Sequence, residues 1–149
     1  MKFRWKLDKY RSVLNQQEKV ILAKLMLQIT EIRKIDKNIS RIEIHCKAMI
    51  DDFSQQSVND RMAHQKQIFS FLNGKKLEIQ NLLTDKNILV EKKSTIETEL
   101  FELRQKIEML TKLYEKARSE FITKQEKIQQ EEIEELFQLR FKNKAIAAE

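Results

Sequence analysis

The sequence predicts an all-α fold, a two-helix antiparallel coiled coil with a longer second helix. Three observations carry that expectation. The 149-residue chain contains no proline and a single glycine, Gly74, so almost nothing in it interrupts a helix. Apolar side chains recur at alternating steps of three and four residues, the period of a coiled-coil seam. Charged residues make up 35% of the chain and apolar residues 41%, with few aromatics, which places it with long helices rather than with globular or disordered chains.

The first helix is expected over about residues 3–53. Its seam runs through Phe3, Leu7, Tyr10, Leu14, Glu18, Ile21, Leu25, Gln28, Ile32, Ile35, Ile39, Ile42, Cys46, Met49 and Phe53. The steps from Tyr10 to Leu14 to Glu18 are both of four residues, a local phase slip that slightly unwinds a supercoil. Between Val20 and Ile35 the apolar face widens to take in Leu22, Leu27 and Ile29, which offers a second contact surface. A polar stretch then breaks the repeat and places a turn at about residues 54–59, where Ser57 and Asp60 have the spacing of a helix N-terminal capping box. The second helix is expected over about residues 60–142. Its seam is Ile68, Leu72, Lys75, Ile79, Leu82, Lys86, Leu89, Lys93, Ile96, Leu100, Leu103, Ile107, Leu110, Tyr114, Ala117, Phe121, Lys124 and Ile128, and Gly74 lies outside it.

If the whole chain, 1–149, is one hairpin reversing near residue 57, positions whose numbers sum to about 114 face each other, so seam meets seam. Leu72 then faces Ile42, Leu89 faces Leu25, and Lys86 faces Gln28 in a polar layer able to fix register. Helix one runs out at Phe3, opposite residues 110–111, while helix two continues to Lys142. The unpaired arm would be about 45 Å long at about 1.5 Å per residue. It carries Tyr114, Phe121, Ile128, Ile133, Leu136, Phe137, Leu139 and Phe141, and a lone helix showing that stripe to water is marginal. A partner is expected to cover it.

Charge and chemistry narrow the function. The net charge is +6, but residues 1–53 hold twelve Lys/Arg against seven Asp/Glu, whereas residues 54–149 hold seventeen against sixteen. The excess is densest at Lys2, Arg4, Lys6, Lys9 and Arg11, where Trp5 and Asp8 interrupt it, so a groove-reading basic helix and a nucleic-acid partner are not expected. Cys46 stands alone, which fits a reducing compartment and a small buried hydrophobe. No apolar run approaches the roughly 18 residues of a membrane span, and the start MKFRWKLDKYR is too charged for a signal peptide, so a cytoplasmic protein without membrane insertion is expected. His45, Cys46 and His64 are the only soft ligands, too few and too divergent for zinc. The acidic pairs Asp51-Asp52 and Glu131-Glu132 have no cleft around them, and one glycine cannot make a phosphate loop. A two-helix rod also lacks an interior in which to shift a pKa, so neither enzymatic activity nor a metal or cofactor is expected.

Near the turn, Phe53, Phe69 and Phe71 cluster with Met49 and Leu72. Phe69 and Phe71 are two residues apart and cannot both face inward on one helix, so at least one is expected to be exposed, either as an interaction patch or as local packing around the loop.

The opening Lys2-Phe3-Arg4-Trp5-Lys6-Leu7-Asp8-Lys9-Tyr10-Arg11-Ser12-Val13-Leu14, followed by Gln16-Gln17-Glu18, resembles the start of the flagellar export protein FliJ family. The stretch from Leu110 through Tyr114 to Phe121, and on through Gln130-Glu-Glu-Ile-Glu-Glu-Leu-Phe-Gln-Leu-Arg-Phe141, is similar to that family's C-terminal segment. The resemblance covers essentially the whole chain through motifs of low specificity. It implies a non-enzymatic, soluble component of the flagellar type III export apparatus, similar in fold to the stalk subunit of rotary ATPases and peripheral at the cytoplasmic face of the inner membrane. The implied partners are the hexameric flagellar export ATPase, the cytoplasmic domain of the export gate membrane protein, and export chaperones. On this reading the terminal end, with Phe121, Ile128, Leu136, Phe137, Leu139 and Phe141, enters the ATPase ring, and the turn end, with Met49, Phe53, Phe69 and Leu72, faces the gate. The competing expectations are an injectisome stalk protein and a structural or chaperone-like coiled coil that buries its arm by dimerising.

Overall fold

The computed structural model describes residues 2–148, which form an all-α hairpin of two antiparallel helices. Helix α1 spans Asp8–Gln55 and helix α2 spans Val58–Ala148, 48 and 91 residues respectively. The chain falls into two compact units. One is Gln17–Glu102; the other combines the chain up to Gln16 with the chain from Leu103 onward.

In Gln17–Glu102 the reversal takes only Gln56 and Ser57. The Gln56 N–H donates to the Phe53 carbonyl at 3.2 Å, and Ser57 Oγ accepts from the Asp60 N–H at 3.2 Å. That second bond satisfies one of the donors a helix start leaves open, and the Asp60 carboxylate lies at the positive end of the helix dipole. A capped start lets the chain reverse with neither glycine nor proline. The turn is therefore shorter than residues 54–59, and α2 starts at Val58 rather than near residue 60.

The expected seam is the least exposed line of each helix. In α1 it runs from Glu18 through Ile21, Leu25, Gln28, Ile32, Ile35, Ile39, Ile42, Cys46 and Met49 to Phe53, all half-buried. The widened face is real in part, since Leu22 and Ile29 are half-buried but Leu27 is exposed. In α2 the seam lysines reach carboxylates with their ends while their stems lie along the apolar line. Lys75 Nζ is 3.2 Å from Glu78, Lys93 Nζ is 3.6 Å from Glu97, and Lys86 Nζ is 2.7 Å from Asp36 of α1. These pairs are partly solvated and each is worth less than about 1 kcal/mol. Lys86 thus meets Asp36, not the expected Gln28, whose Oε1 is shielded and accepts no hydrogen bond from the described residues. Asp36 lies eight residues, about 12 Å, from Gln28 along α1, and Leu72 shares a groove with Cys46 and Ile50 rather than meeting Ile42, so the two helices pair several residues away from the register expected of positions summing to about 114. His45 packs edge-on against Phe71, with centroids 5.4 Å apart.

Gly74 sits within α2, and a Cβ built on it meets nothing within 4 Å. Gly74→Ala is therefore expected to raise stability by about 0.5–1 kcal/mol through helix propensity alone. The check is the thermal midpoint by circular dichroism, and a lowered midpoint would contradict the open surroundings of that backbone.

The other unit departs from expectation at the chain start. Helix α1 begins at Asp8, not at Phe3. Residues 2–5 are irregular, and the Asp8 N–H donates to the Trp5 carbonyl at 3.2 Å to close a turn into the helix. Phe3 and Trp5 are half-buried while Lys2, Arg4 and Lys6 are exposed, the two-residue alternation of an extended segment. An extended chain advances about 3.3 Å per residue against about 1.5 Å for a helix. A few residues therefore cover more of α2 than the helical reading allowed: Phe3 stacks on Tyr114 and Phe121 instead of stopping opposite residues 110–111.

The phase slip is also absent. Tyr10 is 50% exposed and Leu7 40% exposed, and Arg11 takes the seam position, three residues before Leu14 and seven before Glu18. Arg11 fits there because its guanidinium lies 4.3 Å from the Tyr114 ring centroid and its Nη2 lies 3.1 Å from Asp8 Oδ1. In the same unit Leu14, Leu103 and Leu110 are each at least 92% shielded. Helix α2 then runs past Lys142 to Ala148, since Lys-Ala-Ile-Ala-Ala continues a helix at little cost.

Candidate partner-binding site

The terminal end is built in two parts. The first is an aromatic cap made by the chain start on α2. Trp5 meets Tyr114 edge-on at 5.4 Å, Phe3 lies 5.7 Å from Tyr114 and 5.3 Å from Phe121, and Arg11 stacks over Tyr114. Each aromatic contact of this kind adds about 0.5–1.5 kcal/mol to simple area burial. Phe121, expected to belong to the open arm, is half-buried under this cap.

The second part is the stretch of α2 after Gln125, along which every residue from 126 to 147 is exposed. Ile128 is 39% exposed, Leu136 64%, Phe137 71%, Leu139 58% and Phe141 69%. Ile133 and Ile146 extend the set, and Ile146 escaped the sequence reading because that reading ended the helix at Lys142. Such a concentration of large apolar side chains on one helical segment makes it the candidate interaction surface of the chain. At about 100° per residue it has two faces. Ile128, Leu139 and Ile146 continue the seam, while Ile133, Phe137 and Phe141 stand about 180° away, at steps of four residues.

The turn end, in Gln17–Glu102, divides the four residues singled out there. Met49, Phe53 and Leu72 are half-buried in the seam, and Phe69 is 51% exposed. Of the phenylalanine pair it is Phe71 that turns inward, against His45 and with Lys75 Nζ over its ring at 5.6 Å. Val58 and Met62 share the open face of Phe69 and were missed; their signal was apolar character at helical spacing outside the seam. A shallow groove between the helices, lined by Cys46, Ile50, Leu72 and Ile79, takes in the lone thiol as one more apolar group.

No protein-family model, curated protein or solved structure matches the chain. The chemistry of the surface must therefore carry the functional reading. Among the described residues no three His, Cys, Asp or Glu side chains come together in a group able to hold a metal ion. Nor is any helix of the described residues long and apolar enough to cross a membrane. What the geometry offers is contact area: one open apolar segment at the end of α2 and a smaller patch around Phe69.

Proposed function

We propose that the chain is a non-enzymatic coiled-coil component of the flagellar type III protein export apparatus, acting as a stalk-like subunit of the hexameric export ATPase. It works at the cytoplasmic face of the inner membrane. The terminal segment of α2 enters the ATPase ring, and the turn end, through Phe69 and its neighbours, meets the cytoplasmic part of the export gate and the export chaperones. The likeness of the first and last segments to the flagellar export family supports this reading. The observation that carries it is the exposed apolar stretch from Ile128 to Ile146 on a helix that outlasts its partner. A helix end of this kind is stable in water only at a cost, and a ring with an apolar bore would relieve that cost.

The test is stimulation of a purified flagellar export ATPase by the full chain. Phe137→Ala, Leu139→Ala and Phe141→Ala together should abolish stimulation and leave helicity within a few per cent of the parent, because exposed alanines favour helix. Unaltered stimulation by the triple variant would remove the ring-entry role.

A further inference from the structure

We propose that the outer face of the chain start docks on an anionic lipid surface. Phe3 and Trp5 turn inward onto Tyr114 and Phe121, so the alternation of the extended segment leaves Lys2, Arg4 and Lys6 exposed, about 6.6 Å apart. Lys9 follows at the start of α1 and is exposed as well. No ion pair among the described residues involves any of these four cations, and Asp8, the one acid in residues 2–16, is held by Arg11. Tyr10 and Val13 lie within about 100° of Lys9 around α1. They are 50% and 51% exposed, because Arg11 and Leu14 hold the seam.

The charge of the whole chain is concentrated at this end. Residues 2–16 and 103–125, which belong to one unit, hold eleven Lys/Arg against four Asp/Glu. The rest of the chain holds eighteen against nineteen. The net charge of +6 is therefore a local property, and it attracts an anionic surface to one place on the molecule.

The arrangement also selects among anionic partners. Proteins that take up nucleic acid lay a basic helix in a groove or offer aromatic rings to the bases. Here the cationic row is not helical, and both of its aromatic rings face Tyr114 or Phe121. An acidic protein partner of fixed shape gains most of its affinity from buried anchors at the centre of the contact. Long lysine and arginine stems in a row set no such fixed pattern, and a fluid surface of negative charge requires none. Clustered Lys and Arg are drawn to anionic lipid, each strengthening binding about fivefold, and tyrosine is favoured at the depth of the headgroups. No helix of the described residues is long and apolar enough to cross a membrane, so the contact is peripheral. The docking does not rest on the export role, since it uses none of Phe137, Leu139 and Phe141.

Co-sedimentation of the full chain, untagged at its start, with lipid vesicles tests the proposal. The parent should bind vesicles of phosphatidylcholine with one-third phosphatidylglycerol, should ignore pure phosphatidylcholine, and should be released as salt rises to about 0.5 M. Lys2→Gln, Arg4→Gln, Lys6→Gln and Lys9→Gln together should weaken binding about a hundredfold or more. Lys9→Glu alone, which leaves the extended segment untouched, should weaken it at least about tenfold. The control removes the same charge elsewhere on α1, through Arg33→Gln, Lys34→Gln, Lys37→Gln and Arg41→Gln, and should stay within about threefold of the parent. Circular dichroism and Trp5 emission matching the parent confirm that each variant keeps its fold and its chain start in place. Equal binding to neutral vesicles overturns the proposal, as do equal losses in the two quadruple variants. Tighter binding to duplex DNA or to polyglutamate, at the same concentration of negative charge, also overturns it and assigns the face to that class of partner.

Discussion

Leu14→Ala is expected to lower stability by about 2–4 kcal/mol, the range for truncating a well-packed leucine. Leu14 is 4% exposed, and no side chain among the described residues is fully buried. The apolar line therefore has little redundancy, and a domain with an ordinary total stability of about 5–15 kcal/mol loses a large share of it at this one position. The matched control is Leu136→Ala. Its side chain is 64% exposed, so the change should fall within about 0.5 kcal/mol of neutral. Chemical denaturation followed by circular dichroism distinguishes the two, and equal effects would mean that the seam is not what holds the helices together.

Tyr114→Ala should detach the chain start. That ring is shared by Phe3, Trp5 and Arg11, so its loss removes two aromatic contacts and a cation–π contact together. The cost should be about 2–3 kcal/mol, below that for a fully buried ring because Tyr114 is only half-buried. Trp5 is the only tryptophan in the chain, which makes its fluorescence a direct report. Emission should shift to the red and quenching by acrylamide should rise, whereas Tyr114→Phe, which keeps the ring, should preserve the parent spectrum. An unchanged spectrum in the alanine variant would show that Trp5 is held by something else. Because Phe3 also covers Phe121, detachment lengthens the open apolar line on α2 by about two turns, given the heptad between Tyr114 and Phe121.

The helices and seams were legible because coiled-coil packing writes itself into spacing, and spacing survives in a bare sequence. From Glu18 to Phe53 and from Ile68 to Phe121 the residues named from the repeat are the least exposed ones. The errors lie where a side chain's chemistry departs from its apolar rank. Tyr10 outranks Arg11 in hydrophobicity, yet Arg11 holds the seam because a planar cation stacks on Tyr114 while its fork reaches Asp8. The non-helical start carried a readable signal, the alternation in Lys2-Phe3-Arg4-Trp5-Lys6, which the search for a longer period passed over. At the turn end, spacing implied that one of Phe69 and Phe71 is open. Only the register against His45 decides which.

A seam in which most positions are only half-buried also affects how this sequence can evolve. Because no side chain among the described residues is enclosed on every side, the requirement at a half-buried seam position is bulk and spacing rather than a particular shape, and exchanges among leucine, isoleucine and methionine cost little. Substitutions can therefore accumulate along both helices while the hairpin persists. The positions that resist such drift should be those holding defined partners, Arg11 and Tyr114 foremost among them.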